Sequence, residues 1–225
     1  MSKQKEKLIL KVFFGLFAFI IFNSHSFSYI MANRGDCAFG GGGEKGGSIK
    51  SYIIEGAGYF LNSYSDSLLF LNRIEMSEMN GIDYKELKGI LYKAIENMEN
   101  ARDAYSNLKQ TADNTPYNQA FINQLLYFDY AGFQKKRGLN NAIFKTVESY
   151  LRKGDVRGFF TLLLSRSEKI LNQLYTIKEW VDTETYPLLS TLWRINQDYS
   201  ITMLFGQYAA DIFYTCLCFD KGILK

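Results

Sequence analysis

Nucleophilic, redox and metal chemistry would most readily be built here from three cysteines and a single histidine, and their positions restrict all three. His25 is the only imidazole, and it lies in the polar run "NSHSFS" that closes an apolar stretch. Cleavage after Ser26 would remove it. A Ser-His-Asp or Cys-His arrangement would then lack its base. Histidine-ligated zinc and a Glu-x-x-His di-iron site would lack their ligands, and no Cys-x-x-Cys-His haem attachment sequence is present. The expectation is a non-enzymatic protein with no catalytic residue, no cofactor and no bound metal.

The cysteines point to a disulfide instead. Cys37 precedes the glycine run, and Cys216 and Cys218 stand near the end of the chain. Exported proteins meet an oxidising compartment in which disulfides persist. Two residues two apart on a helix point to different sides, so Cys216 and Cys218 are poor partners for each other. A bridge from Cys37 to either one would close a long loop and stabilise the fold by about 3–5 kcal/mol in the chain-entropy picture. It requires the start of the first helix and the end of the last to share a pole. That holds if the region after Pro116 folds back as a hairpin, and fails if it is one continuous rod.

Export itself is read from the first 28 residues. Lys3, Lys5 and Lys7 precede "LILKVFFGLFAFIIF", whose uncharged core is residues 12–22, and serines follow at alternating positions. This is the pattern of a secretory signal peptide cleaved near residue 26 or 28. The apolar core is well short of the ~20 residues that span a bilayer. An uncleaved N-terminal membrane anchor is the rival reading. Residues 1–26 hold four lysines and one glutamate, so removing them from 26 basic and 23 acidic residues leaves 22 of each. A chain with no basic surplus is not expected to bind nucleic acid.

Two short motifs in "RGDCAFGGGGEKGG" carry little. Gly41-x-Gly43-x-x-Gly46 has the dinucleotide spacing, but no strand precedes it and no βαβ unit follows. Lys45 is followed by glycine, where a phosphate loop needs Ser or Thr. Arg34-Gly35-Asp36 is a chance-prone tripeptide. Residues 29–47 read as a flexible glycine-rich segment, and residues 48–225 as one domain.

The elements that would position any site are helices. Tyr84, Leu87, Leu91, Ala94, Met98, Ala101, Tyr105, Leu108 and Ala112 recur in steps of three and four. That heptad seam packs helices at a shallow angle. Asp83 with Glu86 forms a capping-box pattern, and Asn80-Gly81 reads as the preceding stop. Ile53, Ala57, Phe60, Tyr64, Leu68 and Leu71 mark a first helix over about 48–78. Thr115-Pro116 opens a helix to about Lys135, and a shorter one follows over about 141–153. Gly154-Asp155 is a stop and a cap. Phe159, Phe160, Leu163, Ile170, Leu174, Ile177 and Val181 line the next helix. Pro187 opens the last, with Leu188, Leu192, Ile195, Tyr199, Met203, Ala210, Phe213 and Leu217 inward. The expected fold is all-α, an elongated antiparallel up-and-down bundle of four long helices with a shorter broken pair.

Candidate ligand positions follow. Asp129 in "LLYFDYAGF" lies one turn beyond Leu125 and Leu126, where a core-facing carboxylate would need a partner such as Arg137, Arg157 or Arg194. Tyr130 adjoins it. Trp180 and Trp193 flank one helix–helix turn, and with the abundant Tyr and Phe they could line a pocket for a small apolar or aromatic ligand. Glu75, Glu78, Glu96, Glu99 and Asp103 fall at helical spacing but among Lys93, Arg102 and Lys109, as on a solvated face. Phe159 to Leu164 is apolar on all sides, suiting either an enclosed segment or contact with a partner or membrane. The preferred function is an exported bundle that acts by binding a protein partner or taking part in envelope assembly. The alternatives are a small-molecule carrier or sensor with an aromatic pocket, and a membrane-interacting or pore-forming bundle.

Overall fold

A computed structural model describes residues 44–114, 119–138 and 142–218. The expected signal peptide, Cys37 and Thr115-Pro116 lie outside the described residues. Among those described there are seven helices and no strand. In chain order they are α1 (Glu44–Asn80), α2 (Tyr84–Asp113), α3 (Gln119–Tyr127), α4 (Tyr130–Arg137), α5 (Ala142–Leu151), α6 (Val156–Asp182) and α7 (Leu189–Cys218). The protein is an all-α helical bundle.

Four long helices carry most of the core, because their apolar residues fall on stripes that face each other. On α2, Leu87, Leu91, Ala94, Met98, Ala101, Tyr105, Leu108 and Ala112 are all buried, as the heptad spacing predicts; Tyr84 is half-buried. On α6 the whole expected stripe from Phe159 to Val181 is inside. Cross-helix bonds fix the neighbours. Ser63 of α1 reaches the Ala94 carbonyl of α2, and Arg73 reaches Glu86. Tyr92, Glu99 and the Ala112 carbonyl of α2 meet Asp182, Tyr175 and Arg157 of α6. Asp198 and Thr202 of α7 meet Lys169 and Arg166 of α6, while Asn196 of α7 meets Ser67 of α1. Across α2 and α6, partner numbers fall on one helix as they rise on the other. The Tyr105 ring of α2 lies against the α1 backbone at Gly56, where a Cβ would lie 2.6 Å from its Cε1.

Local signals set the helix ends. Asp83 accepts from the Lys85 and Glu86 amides at 3.0 and 3.1 Å. The Glu86 carboxylate pairs with Arg73 at 3.0 Å, so Asp83 supplies the cap. Gly81 (φ 82°) and Gly154 (φ 69°) take the left-handed conformation that closes a helix. Asp155 then caps α6 by accepting from the Gly158 amide at 2.8 Å. Two expectations are corrected. The helix expected to run to about Lys135 is broken after Tyr127, because Asp129 starts α4 as its cap. α1 also begins at Glu44 and so takes in residues 44–47 of the glycine-rich segment.

α3, α4 and α5 form a short outer layer against α6 and α7. Phe133 stacks on Phe144, which meets Tyr208 of α7 edge-on. Among the described residues, no helix is long and apolar enough to cross a membrane.

Candidate binding sites

The four aromatic and acidic candidates occupy two separate places. Asp129 does not face the core. It is exposed, and its carboxylate accepts from the Gly132 amide at 2.9 Å as the cap of α4. Of the arginines expected near it, Arg137 pairs with Asp211 at 3.6 Å. The Arg157 guanidinium donates to the Ala112 carbonyl at 2.9 Å, and Arg194 is exposed. Tyr130 is buried. Its hydroxyl donates to the Leu125 carbonyl at 2.8 Å, and the Arg152 guanidinium lies 4.6 Å from its ring centre. Both residues sit near the start of α6.

Trp180 is half-buried against the core near the other end of α6. Val156 to Trp180 is 24 helical steps, roughly 36 Å. The structure therefore does not bring Asp129 and Tyr130 to the tryptophans. Trp193, in the first turns of α7, keeps 57% of its surface exposed, and Leu188 beside the same turn keeps 60%. Leu188 was expected inside. It sits before the first turn of α7, where its carbonyl accepts from the Thr191 and Leu192 amides, and its side chain faces out. In the expected membrane or partner segment, Phe159, Phe160 and Leu163 are buried, and Leu162 and Leu164 pack against the core half-buried.

Sequence reasoning missed two polar networks on α7. On the α1 side the Ser63 hydroxyl donates to the Ala94 carbonyl at 2.6 Å, so it accepts from Tyr199, also at 2.6 Å. Ser200 donates to the Asn196 carbonyl and accepts from Tyr64 at 2.8 Å. Asn196 accepts from Ser67 at 3.3 Å. Burial pushes the Tyr199 phenol well above its ordinary pKa, against the lowering effect of its Ser63 bond. With its proton committed to a carbonyl and no base beside it, Ser63 is not poised as a nucleophile.

On the α6 side, Asp198 accepts from Lys169 at 2.9 Å, from Arg166 at 3.3 Å and from Gln173 at 3.1 Å. Arg166 also donates to the Thr202 hydroxyl at 2.8 Å and lies 5.2 Å from the Phe205 ring centre. Burial lowers the Arg166 pKa, and Asp198 opposes that shift. The Gln173 Oε1 atom has no hydrogen-bond partner among the described residues. The signal for both networks was present: Asn196, Tyr199 and Thr202 recur in threes on α7, as Arg166, Lys169 and Gln173 do in threes and fours on α6.

A small apolar cavity of about 30 Å³ lies between α1, α2, α6 and α7, lined by residues including Ile53, Tyr105, Phe160, Gly206 and Phe213. It is a tenth of the ~300 Å³ of a typical small-molecule site. Tyr105 makes no hydrogen bond among the described residues, and burial raises its pKa. Of the acidic set, Glu99 accepts from Tyr175 and Asp103 pairs with Arg102 at 2.7 Å. Among the described residues no group of three or more His, Cys, Asp or Glu could hold a metal ion.

Comparison with known proteins gives no matching family model, no matching curated protein and no matching solved structure.

Proposed function

We propose that this is an exported, non-enzymatic helical bundle that acts by binding a protein partner at the pole where α6 turns into α7. One observation carries the reading: Trp193, Leu188 and Tyr186 stand exposed together around that turn, at 57%, 60% and 36%. Exposed Trp and Tyr beside apolar side chains are the residue types that anchor protein interfaces. The buried polar side chains offer no competing chemistry, since Ser63, Asn196, Tyr199 and Asp198 are occupied in helix-to-helix bonds. This outer surface, rather than an interior cavity, supports binding. The test is affinity capture from the native host with the wild-type chain and with Trp193→Ala. A partner retained by the first and lost by the second is expected; equal retention overturns the assignment to this pole.

Export and the disulfide belong to the same proposal. Export rests on the basic and apolar pattern of residues 1–28. The bridge from Cys37 to Cys216 or Cys218 is supported by Ile53 of α1 and Phe213 of α7 lining one cavity, which brings the first half of α1 and the end of α7 to a common pole. N-terminal sequencing of exported protein should begin near residue 27 or 29. Non-reducing peptide mapping should recover Cys37 linked to the α7 peptide, and a free Cys37 thiol would refute the bridge.

A further inference from the structure

The chain without its first 26 residues is charge-neutral, but its charge is not evenly placed. Residues 119–158, which contain α3 to α5, hold seven Lys or Arg against three Asp or Glu, a net of +4. Residues 44–114 hold eight against eleven, and residues 159–218 hold four against six. In the long helices Arg73, Arg102, Lys109, Arg166, Lys169 and Lys178 are in ion pairs, whereas Lys85, Lys88, Lys93 and Arg194 have none among the described residues. On the outer layer Lys135, Lys136, Lys145 and Lys153 are exposed, with no ion-pair or hydrogen-bond partner among the described residues.

The layer also carries the most exposed large apolar side chain described, Tyr127 at 85%, with Leu126 at 37% beside it. They end α3 next to the α5–α6 turn: a Cβ at Gly154 would lie 3.1 Å from Cγ2 of Ile122 and 4.0 Å from Cδ2 of Leu126. Lys153 is therefore a neighbour of this tip. Lys145 is exposed on α5. Lys135 and Lys136 close α4, beside the Phe133 ring that stacks on Phe144.

We propose that the α3–α5 layer is an electrostatic docking face for the anionic headgroups of a bilayer surface, with Tyr127 and Leu126 as its apolar contact. Unpaired lysines keep their full attraction for an anionic surface. A phenol held out in water beside them is suited to the water–lipid boundary, where an aromatic ring can bury its body and keep its hydroxyl wet. Nucleic acid would use the lysines but gives no reason for Leu126 to be exposed. The proposal goes beyond the protein-partner reading, since the Trp193 surface lies at the other end of α6, and either can fail without the other.

The test is co-sedimentation of the full chain with phosphatidylcholine vesicles, with and without phosphatidylglycerol. The comparison variant is Lys135→Glu/Lys136→Glu/Lys145→Glu/Lys153→Glu, which leaves Lys3, Lys5, Lys7 and the apolar N-terminal stretch intact. Wild type should bind the anionic vesicles at least about tenfold more tightly than the variant does, with little difference on neutral vesicles. Equal binding of the two chains to anionic vesicles would overturn the proposal. If circular dichroism shows the variant unfolded, the Lys→Gln set takes its place, with the same two outcomes. Tyr127→Trp should show a blue shift of emission on anionic vesicles that the wild-type chain does not show, and an unchanged spectrum would overturn the role of the tip. Lysine-dependent binding to duplex DNA without lysine-dependent binding to vesicles would also overturn the lipid assignment.

Discussion

α2 and α7 are both 30-residue helices in one bundle, yet they are held in opposite ways. α2 buries an unbroken apolar seam against α1 and α6. α7 buries Asn196, Asp198 and Thr202 among its apolar residues, and its contacts include hydrogen bonds to α1 and an ion-paired cluster on α6. Apolar burial is strong but indifferent to small changes of register. A buried polar group left unpartnered costs more than its bond contributes. The difference implies that α2 supplies adhesion, whereas α7 is placed by the requirement that each buried polar atom find its partner.

The largest expected effect is on the apolar side. Leu91 is 1% exposed, and Leu91→Ala should lower unfolding free energy by about 3 kcal/mol in a denaturant titration. A loss under about 1 kcal/mol would mean the α2 seam is not the main adhesive surface. Next, Asp198→Ala strands the half-buried Arg166 guanidinium. The expected loss is about 2 kcal/mol, below the value for a fully buried pair because Lys169 and Arg166 remain partly solvated. The double replacement Arg166→Met/Asp198→Leu should recover most of it. Full recovery of stability with a less cooperative transition would sharpen the view that this cluster specifies placement.

Tyr199→Phe removes the bond that Ser63 accepts while leaving the one Ser63 donates to Ala94, so the expected loss is about 1 kcal/mol. The smallest effect at neutral pH belongs to Tyr105→Phe, whose hydroxyl has no hydrogen-bond partner among the described residues: a change within about 0.5 kcal/mol is expected. Its signature is in alkali. Burial raises the folded pKa of Tyr105 above its ordinary 10.0. The unfolded chain therefore releases this proton first, and stability falls as pH rises past the ordinary tyrosine value. Denaturant titrations across that range should show a shallower decline for Tyr105→Phe than for wild type, and parallel declines would contradict the assigned burial.

Legibility in the sequence followed the range of the forces involved. The α2 seam, the caps at Asp83 and Asp155 and the stops at Gly81 and Gly154 depend on residues within one or two turns, and all are readable from spacing. Asp129 was misplaced because a carboxylate one turn after a leucine pair fits a core-facing position and a cap equally well. Only the break after Tyr127 separates them, since it resets the helical phase so that the Leu125 stripe stops short of Asp129. Leu188 was misplaced for a related reason: the stripe was extended back to a residue whose carbonyl, rather than its side chain, serves the helix start.

The order of polar and apolar residues determined the all-helical class, the long rods and their ends, because hydrogen bonding and side-chain burial on a helix repeat at fixed local intervals. Tertiary structure decided that Asp198 meets Arg166 and Lys169, that Ser63 links Tyr199 to Ala94, and that Tyr130 and Trp193 stand far apart. Each of those facts concerns residues on different helices, and the physical reason is that a helix's own periodicity fixes its face but not the neighbour that covers it.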